Sequence, residues 1–292
     1  MISVILCTYN QEKYIAEAIE SALMQQCDEP FEILIGDDCS QDGTRDVIKS
    51  YYEKYPEMIR LVYPEHNLGA TGNTLNLVRA SEGEYLAFLD GDDAWLSADI
   101  LQKQVDVFRK EDKIGMVVAA AKIWNEQKQQ YTGKLGDANC ESLEKMMSCD
   151  FDVAAPTISV RKKMFEQCII DSEWYIKKDY FFDTIWAYWF AFYSQICYIP
   201  EELAKYRVLR KSECHSDNPN KIREYAKRYY AIKTRFILEH HIDIDISYNI
   251  LLNEWDKVYE ESSWMTEKQI RNTKTYKLGK ILMKPLKILN RK

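Results

Sequence analysis

The segment Gly83–Trp95, GEYLAFLDGDDAW, decides how the rest of the chain is read. Tyr85–Leu89 is a short unbroken apolar run, the pattern of a strand buried on both faces of a sheet. It stops abruptly at Asp90-Gly91-Asp92-Asp93. Acids around a glycine at a strand end predict a tight turn. Carboxylates crowded on such a turn repel one another unless something positive sits among them.

Outward from this segment, strand and helix patterns alternate. Ile2–Cys7, Phe31–Ile35 and Ile59–Tyr63 are further strand patterns, and Glu12–Gln26, Thr44–Tyr55 and Ala70–Ala80 carry apolar residues at helical spacing. Beyond Trp95 come a helix near Ala98–Lys110 and a strand over Gly115–Ala121. This alternation predicts right-handed βαβ crossovers, hence an α/β fold whose mostly parallel central sheet is flanked by helices. The second half reads as a short strand at Thr157–Val160, an aromatic-rich helix over Tyr180–Tyr193, and two late strands, Ile196–Ile199 and Ala204–Tyr206. From Asn220 onward the pattern is helical, which puts a boundary near residue 216.

Composition narrows the function classes. The 292 residues include 39 Lys plus Arg and 46 Asp plus Glu, a net charge of -7, with 46% hydrophobic residues. That is the mix of a folded globular protein, and its acidic balance argues against a general nucleic-acid binder. Eight cysteines without a CxxC pair support neither a zinc ribbon nor a thioredoxin motif, and fit a reducing compartment. The opening apolar run is too short for a secretory signal and reads as a strand. The apolar stretch Ile185–Ile199 is shorter than the roughly 20 residues a bilayer span needs. Six basic residues and no acid lie between Lys277 and Lys292. Lys277, Lys280, Lys284, Lys287 and Arg291 fall on one helical face beside Leu278, Ile281, Leu282, Leu286 and Leu289, with a kink at Pro285. A basic amphipathic helix of this kind suits an anionic membrane surface.

In an open α/β sheet, ligands sit beyond the carboxyl ends of the strands. Here those ends carry Thr8-Tyr9-Asn10, Asp37-Asp38 and Asp90–Asp93. A rim so rich in carboxylates predicts a hard divalent cation, Mn2+ or Mg2+, with positions left open for phosphate oxygens. There is neither a GxxxxGK[ST] loop nor a GxGxxG after the first strand, so a P-loop NTPase and a dinucleotide oxidoreductase are not supported. Without a glycine-rich cradle, neutralising a nucleotide diphosphate falls to the metal.

The ordered set SVILCTYN (Ser3–Asn10), GDDCSQDGT (Gly36–Thr44), NLG (Asn67–Gly69), GEYLAFLDGDDAW (Gly83–Trp95) and YIPEELAKYR (Tyr198–Arg207) resembles family 2 glycosyltransferases with a GT-A fold. The resemblance covers roughly residues 1–215 and implies a Rossmann-like nucleotide-binding half, 1–121, an acceptor-binding half, 122–215, and a helical C-terminal extension, 216–292. It implies an inverting hexosyltransferase that moves a sugar from a nucleotide diphosphate donor, most often UDP, to a hydroxyl of a glycan or lipid-linked acceptor. Thr8, Tyr9 and Asn10 would line the base pocket, with Tyr9 stacked on uracil, and Asp38 would hydrogen-bond the base. Asp92 would lie against ribose and metal, with Asp93 or Asp90 completing the metal site. Asp179, in KKDYFFDTIW, matches the family's catalytic base, and Asp183 one turn on is a second candidate. Departures are Lys178 where a Glu usually precedes the base, Cys7 for Pro, Cys39 for Gly, and Leu209 where a His often follows YR; His215 is the nearest replacement ligand. The implied setting is surface polysaccharide or glycolipid assembly, in the cytoplasm or peripherally at the inner face of the cell membrane. Two rivals are a non-catalytic nucleotide-sugar-binding scaffold, suggested by Lys178, and a sugar nucleotidylyltransferase, which the glycine-free loop after the first strand disfavours.

Overall fold

A computed structural model of the chain describes residues 1–148, 153–178, 182–209, 228 and 231–242. Residues Met1–Glu239 form one compact unit and His240–Lys292 a second. The first unit opens with β1 (Ile2–Thr8), α1 (Ile15–Leu23), β2 (Phe31–Asp37), α2 (Thr44–Tyr52), β3 (Ile59–Leu61), α3 (Gly69–Ala80) and β4 (Tyr85–Asp90). Their strands run in parallel in the order β3-β2-β1-β4. Register sets the level of the rim. Thr8 pairs with Asp37 on one side of β1, and Cys7 with Asp90 on the other, so three strands end side by side.

The chain continues through β5 (Ala94–Trp95), α4 (Ile100–Lys110), β6 (Ile114–Asn125), β7 (Gln130–Leu135), α5 (Leu143–Ser148), β8 (Ser159–Arg161), α6 (Lys162–Asp171), α7 (Glu173–Lys177), α8 (Phe182–Tyr193) and β9 (Gln195–Val208). Short β8 lies antiparallel between β4 and β6; β9 runs parallel to β6, and β5 antiparallel to β9. The two expected late strands are thus one strand, whose register with β6 jumps between Ile199 and Glu202. The cause is Pro200, which has no N–H to give to the ladder. Among the described residues, five elements were not expected: β7, exposed along nearly its whole length, the two-residue β5, and helices α5, α6 and α7.

Burial follows the alternation of the strands. Val4, Leu6, Ile33, Ile35, Ala87 and Leu89 belong to the core cluster that also takes Ile15, Ile19, Ile48, Val105 and Phe108 from α1, α2 and α4. On the other face, Phe88 meets Phe165 of α6 and Trp186 of α8 at ring distances of 5.3 and 4.6 Å. Residues 231–239 are helical; Ile232, Phe236 and Ile237 are buried, and Phe236 lies 5.5 Å from Tyr188 of α8.

Thr157, fully buried just before β8, joins the two halves of the sheet. Its hydroxyl accepts the Ala119 N–H at 3.0 Å and lies 2.8 Å from the carbonyl oxygens of Ala119 and Ala154. Thr157→Val keeps the shape but orphans these groups, at a cost of about 1–3 kcal/mol. The expected result is a lower urea midpoint with an unchanged m-value.

Candidate active site

The loops after β1 and β2 are tied to each other before any ligand is considered. Thr8 Oγ1 donates to Gln11 Oε1 at 2.7 Å. Asn10 sits at φ 54°, in the left-handed region that Asn tolerates better than most residues. Its N–H donates to Ser40 Oγ and its side-chain oxygen accepts from Gln41 N–H, both at 2.8 Å. Asp37 is spent on structure: fully buried, it accepts from Ser40 and pairs with Arg45. Asp38, also buried, accepts the Leu68 N–H at 2.7 Å, while its own carbonyl accepts from Asn67 at 2.8 Å, so it anchors the Asn67–Gly69 turn. Tyr9, at the same rim, is 47% exposed.

The acids after β4 fall into different roles. Gly91 has no room for a side chain, since a Cβ there would lie 2.7 Å from the Thr8 side chain. That close approach presses the acidic turn against the end of β1. Asp90 is open to solvent yet enclosed by protein, and burial, followed by the charges of Asp92 and Asp183, pushes its carboxyl up to about 7. Burial is also the main reason that Asp92 and Asp93 lie above the usual carboxylate range. Asp93 is buried and commits one oxygen to the Arg207 N–H at 2.7 Å. The Arg207 side chain donates to the Asp92 carbonyl at 2.7 Å and to Glu126 at 3.0 Å, pairs with Glu17, and lies 4.7 Å from the Tyr14 ring centre.

The structure brings one further acid to this rim. Asp183, at the head of α8, is close enough for its charge to raise Asp90, and burial raises its own carboxyl in turn. Packing of Trp186 on Phe88 fixes that end of α8 over β4. Asp179 and His215 lie outside the described residues. Among the described residues, no three His, Cys, Asp or Glu side chains are arranged to hold a metal ion. What remains is a pair of carboxylates on the acidic turn, Asp92 with Asp93 or Asp90. One or two carboxylates suffice for Mg2+ or Mn2+ that completes its shell with phosphate and water. The residues present fit such an ion, because acids raised by burial and mutual repulsion are relieved by a cation.

A family model, Glycosyl transferase family 2, matches residues 3–185. The chain belongs to this family. Over 106 residues it is 42% identical to TuaG of Bacillus subtilis strain 168, a candidate teichuronic acid biosynthesis glycosyltransferase; the match covers 36% of this chain and 41% of TuaG. An uncharacterized protein of Mycobacterium tuberculosis strain H37Rv is 38% identical over 104 residues, 36% of this chain and 30% of that one. The chain thus spans less than half the length of these curated relatives. The crystal structure of Staphylococcus aureus TarS 1-349 in complex with UDP has the same fold, with a TM-score of 0.56 and 21% identity over 89% of this chain and 72% of that one. The Pyrobaculum calidifontis mannosyltransferase PcManGT, solved with GDP-Man and Mn2+, matches with a TM-score of 0.54 and 13% identity over 99% and 82% of the two chains. This likeness shows the GT-A fold.

The raised Asp90 has a measurable consequence for stability. Without metal, the folded protein keeps a proton on Asp90 that the unfolded chain gives up above about pH 4. The folded state therefore binds more protons between about pH 4 and 7, and this group's contribution to stability falls as pH rises through that window. Asp90→Asn should lose less stability than the parent between pH 5 and 8 in metal-free urea titrations. Added Mn2+ at pH 8 should raise the parent's midpoint more than the variant's.

Proposed function

We propose that the chain is an inverting transferase that moves a hexose from a UDP-sugar to a hydroxyl of a glycan or lipid-linked acceptor in surface polysaccharide or glycolipid synthesis. The observation that carries this reading is the acidic rim: Asp90, Asp92 and Asp183 converge where three parallel strands end, beside Tyr9 and Asp38. In it, residues 1–121 hold the donor and 122–215 the acceptor, ahead of the extension 216–292. Tyr9 stacks on the base, Thr8, Asn10 and Asp38 flank it, and Asp92 faces ribose and diphosphate. Asp92, with Asp93 or Asp90 and with His215, would hold Mn2+ or Mg2+. When bound, the cation supplies positive charge against the departing diphosphate. The UDP complex of TarS and the GDP-Man and Mn2+ complex of PcManGT support a nucleotide-sugar donor and a divalent metal. The names of TuaG and of TarS, a poly(ribitol-phosphate) beta-N-acetylglucosaminyltransferase, support a surface-polymer acceptor.

An inverting transfer needs one base within reach of the acceptor hydroxyl, opposite the leaving group. Asp179 holds that role by family resemblance. Asp183, the second candidate, is supported by a carboxyl raised by burial and close enough to Asp90 for its charge to be felt there. A base with a raised pKa takes a proton more effectively at neutral pH. The basic segment Lys277–Lys292 would bring the enzyme to an anionic membrane at the cytoplasmic face.

Calorimetric titration of UDP and of GDP, each with and without Mn2+, tests the donor site. Metal-dependent UDP binding that disappears in Asp92→Ala is expected; if neither nucleotide binds with metal present, the donor reading fails. Asp183→Asn should then lower kcat by about 10²–10⁴ with UDP affinity retained. Such a loss in Asp179→Asn alone would return the role to Asp179. Turnover retained by both variants would leave the transfer without either base.

A further inference from the structure

Hairpin β6–β7 extends the sheet beside the rim, at the start of the half that the reading above gives to the acceptor. Register places Tyr131, Trp124 and Arg207 in one row across β7, β6 and β9, and Lys134, Lys122 and Lys205 in the next. Paired residues of neighbouring strands point to the same face. With strands roughly 4.8 Å apart, each row runs on the order of 10 Å outward from β9. Its inner end is the active site itself, since Arg207 holds Asp92 and Asp93.

The rows combine aromatic rings with positive charge. Trp124 and Tyr131 meet edge to face at 5.0 Å, with Lys205 5.6 Å from the Trp124 ring centre and Lys122 5.7 Å from that of Tyr131. Tyr131 is 47% exposed and Lys134 is exposed. Three acids face these cations. Glu126 is taken up by Arg207 and the Trp124 indole N–H, Glu17 by Arg207 and Lys205, and Glu202 lies 3.6 Å from Lys122. Lys134 makes no ion pair among the described residues. Segment 122–135 thus carries Lys122, Lys128 and Lys134 against Glu126 alone, in a chain of net charge -7.

We propose that this face is an acceptor subsite for an anionic saccharide: a sugar ring packs on Tyr131, and its phosphate or carboxylate lies at Lys134 and Lys122. This rests on the glycosyltransferase reading and names the acceptor chemistry of that site. An aromatic face takes the apolar side of a sugar ring, and the flanking ammonium groups select for negative charge.

The test uses the full chain, with and without UDP and Mn2+, and three probes of similar length: a ribitol phosphate oligomer, a hyaluronan octasaccharide and maltooctaose. At low salt one of the two anionic probes should bind at least tenfold tighter than maltooctaose, and which one identifies phosphate or carboxylate. Lys134→Glu and Tyr131→Ala, both at exposed positions, should each weaken that binding at least fivefold while UDP affinity stays unchanged. Equal binding of maltooctaose, no binding of any probe, or unchanged binding in both variants overturns the proposal. Loss of UDP binding with probe binding intact would instead remove the donor reading, so the two failures are distinguishable.

Discussion

The cost of burying charge at the end of β4 is the constraint around which the site is arranged. Three carboxylates within four residues, all raised by burial, cannot ionise together in a low-dielectric setting without cost. Arg207 relieves part of that cost. It does so through the backbone as much as through charge: its N–H binds Asp93 and its guanidinium binds the Asp92 carbonyl, which fixes the turn while leaving the Asp90 and Asp92 carboxylates uncommitted to it. The planar guanidinium suits this, because it serves Asp92, Glu126 and Glu17 from one fork. A lysine offers no such geometry.

Arg207 reaches the turn because β9 runs parallel to β6 and pairs with β5, the two-residue strand that follows the acids. The bulge at Pro200 therefore matters to the site, since it sets where Lys205 and Arg207 fall in the register. On the opposite face, the ring cluster Phe88–Phe165–Trp186 fixes α8 over the same strand that ends in Asp90. Two unrelated packing devices converge on one strand end, one bringing a cation and the other Asp183.

Much of this was legible in the sequence. The apolar runs of β1, β2 and β4 are read without ambiguity because strands buried on both faces leave no polar alternation, and the residues after them are the rim. Other parts follow from pairing that a single sequence does not carry. Exposed β7 is polar, and only its ladder with β6 makes it a strand. The division of labour among acids was likewise hidden: Asp37 and Asp38 are adjacent, yet one is consumed by Arg45 and Ser40 while the other anchors a turn. Asp183, the weaker of two candidate bases in the sequence, is on a helix whose Trp186 packs on Phe88, near enough to Asp90 for its charge to be felt.

The same energetics bear on whether the acids serve structure or chemistry. A carboxylate retained for stability is one whose charge is favoured by its partners, as Glu17 is by Lys205 and Arg207, which hold it below the usual range. Asp90 is the reverse, disfavoured by its burial and by both acidic neighbours, so its presence costs the fold at neutral pH. Asparagine there would keep a polar group without the repulsion. An arrangement of this kind, with the backbone around the acids locked by a buried arginine, is one that a positive charge would relieve.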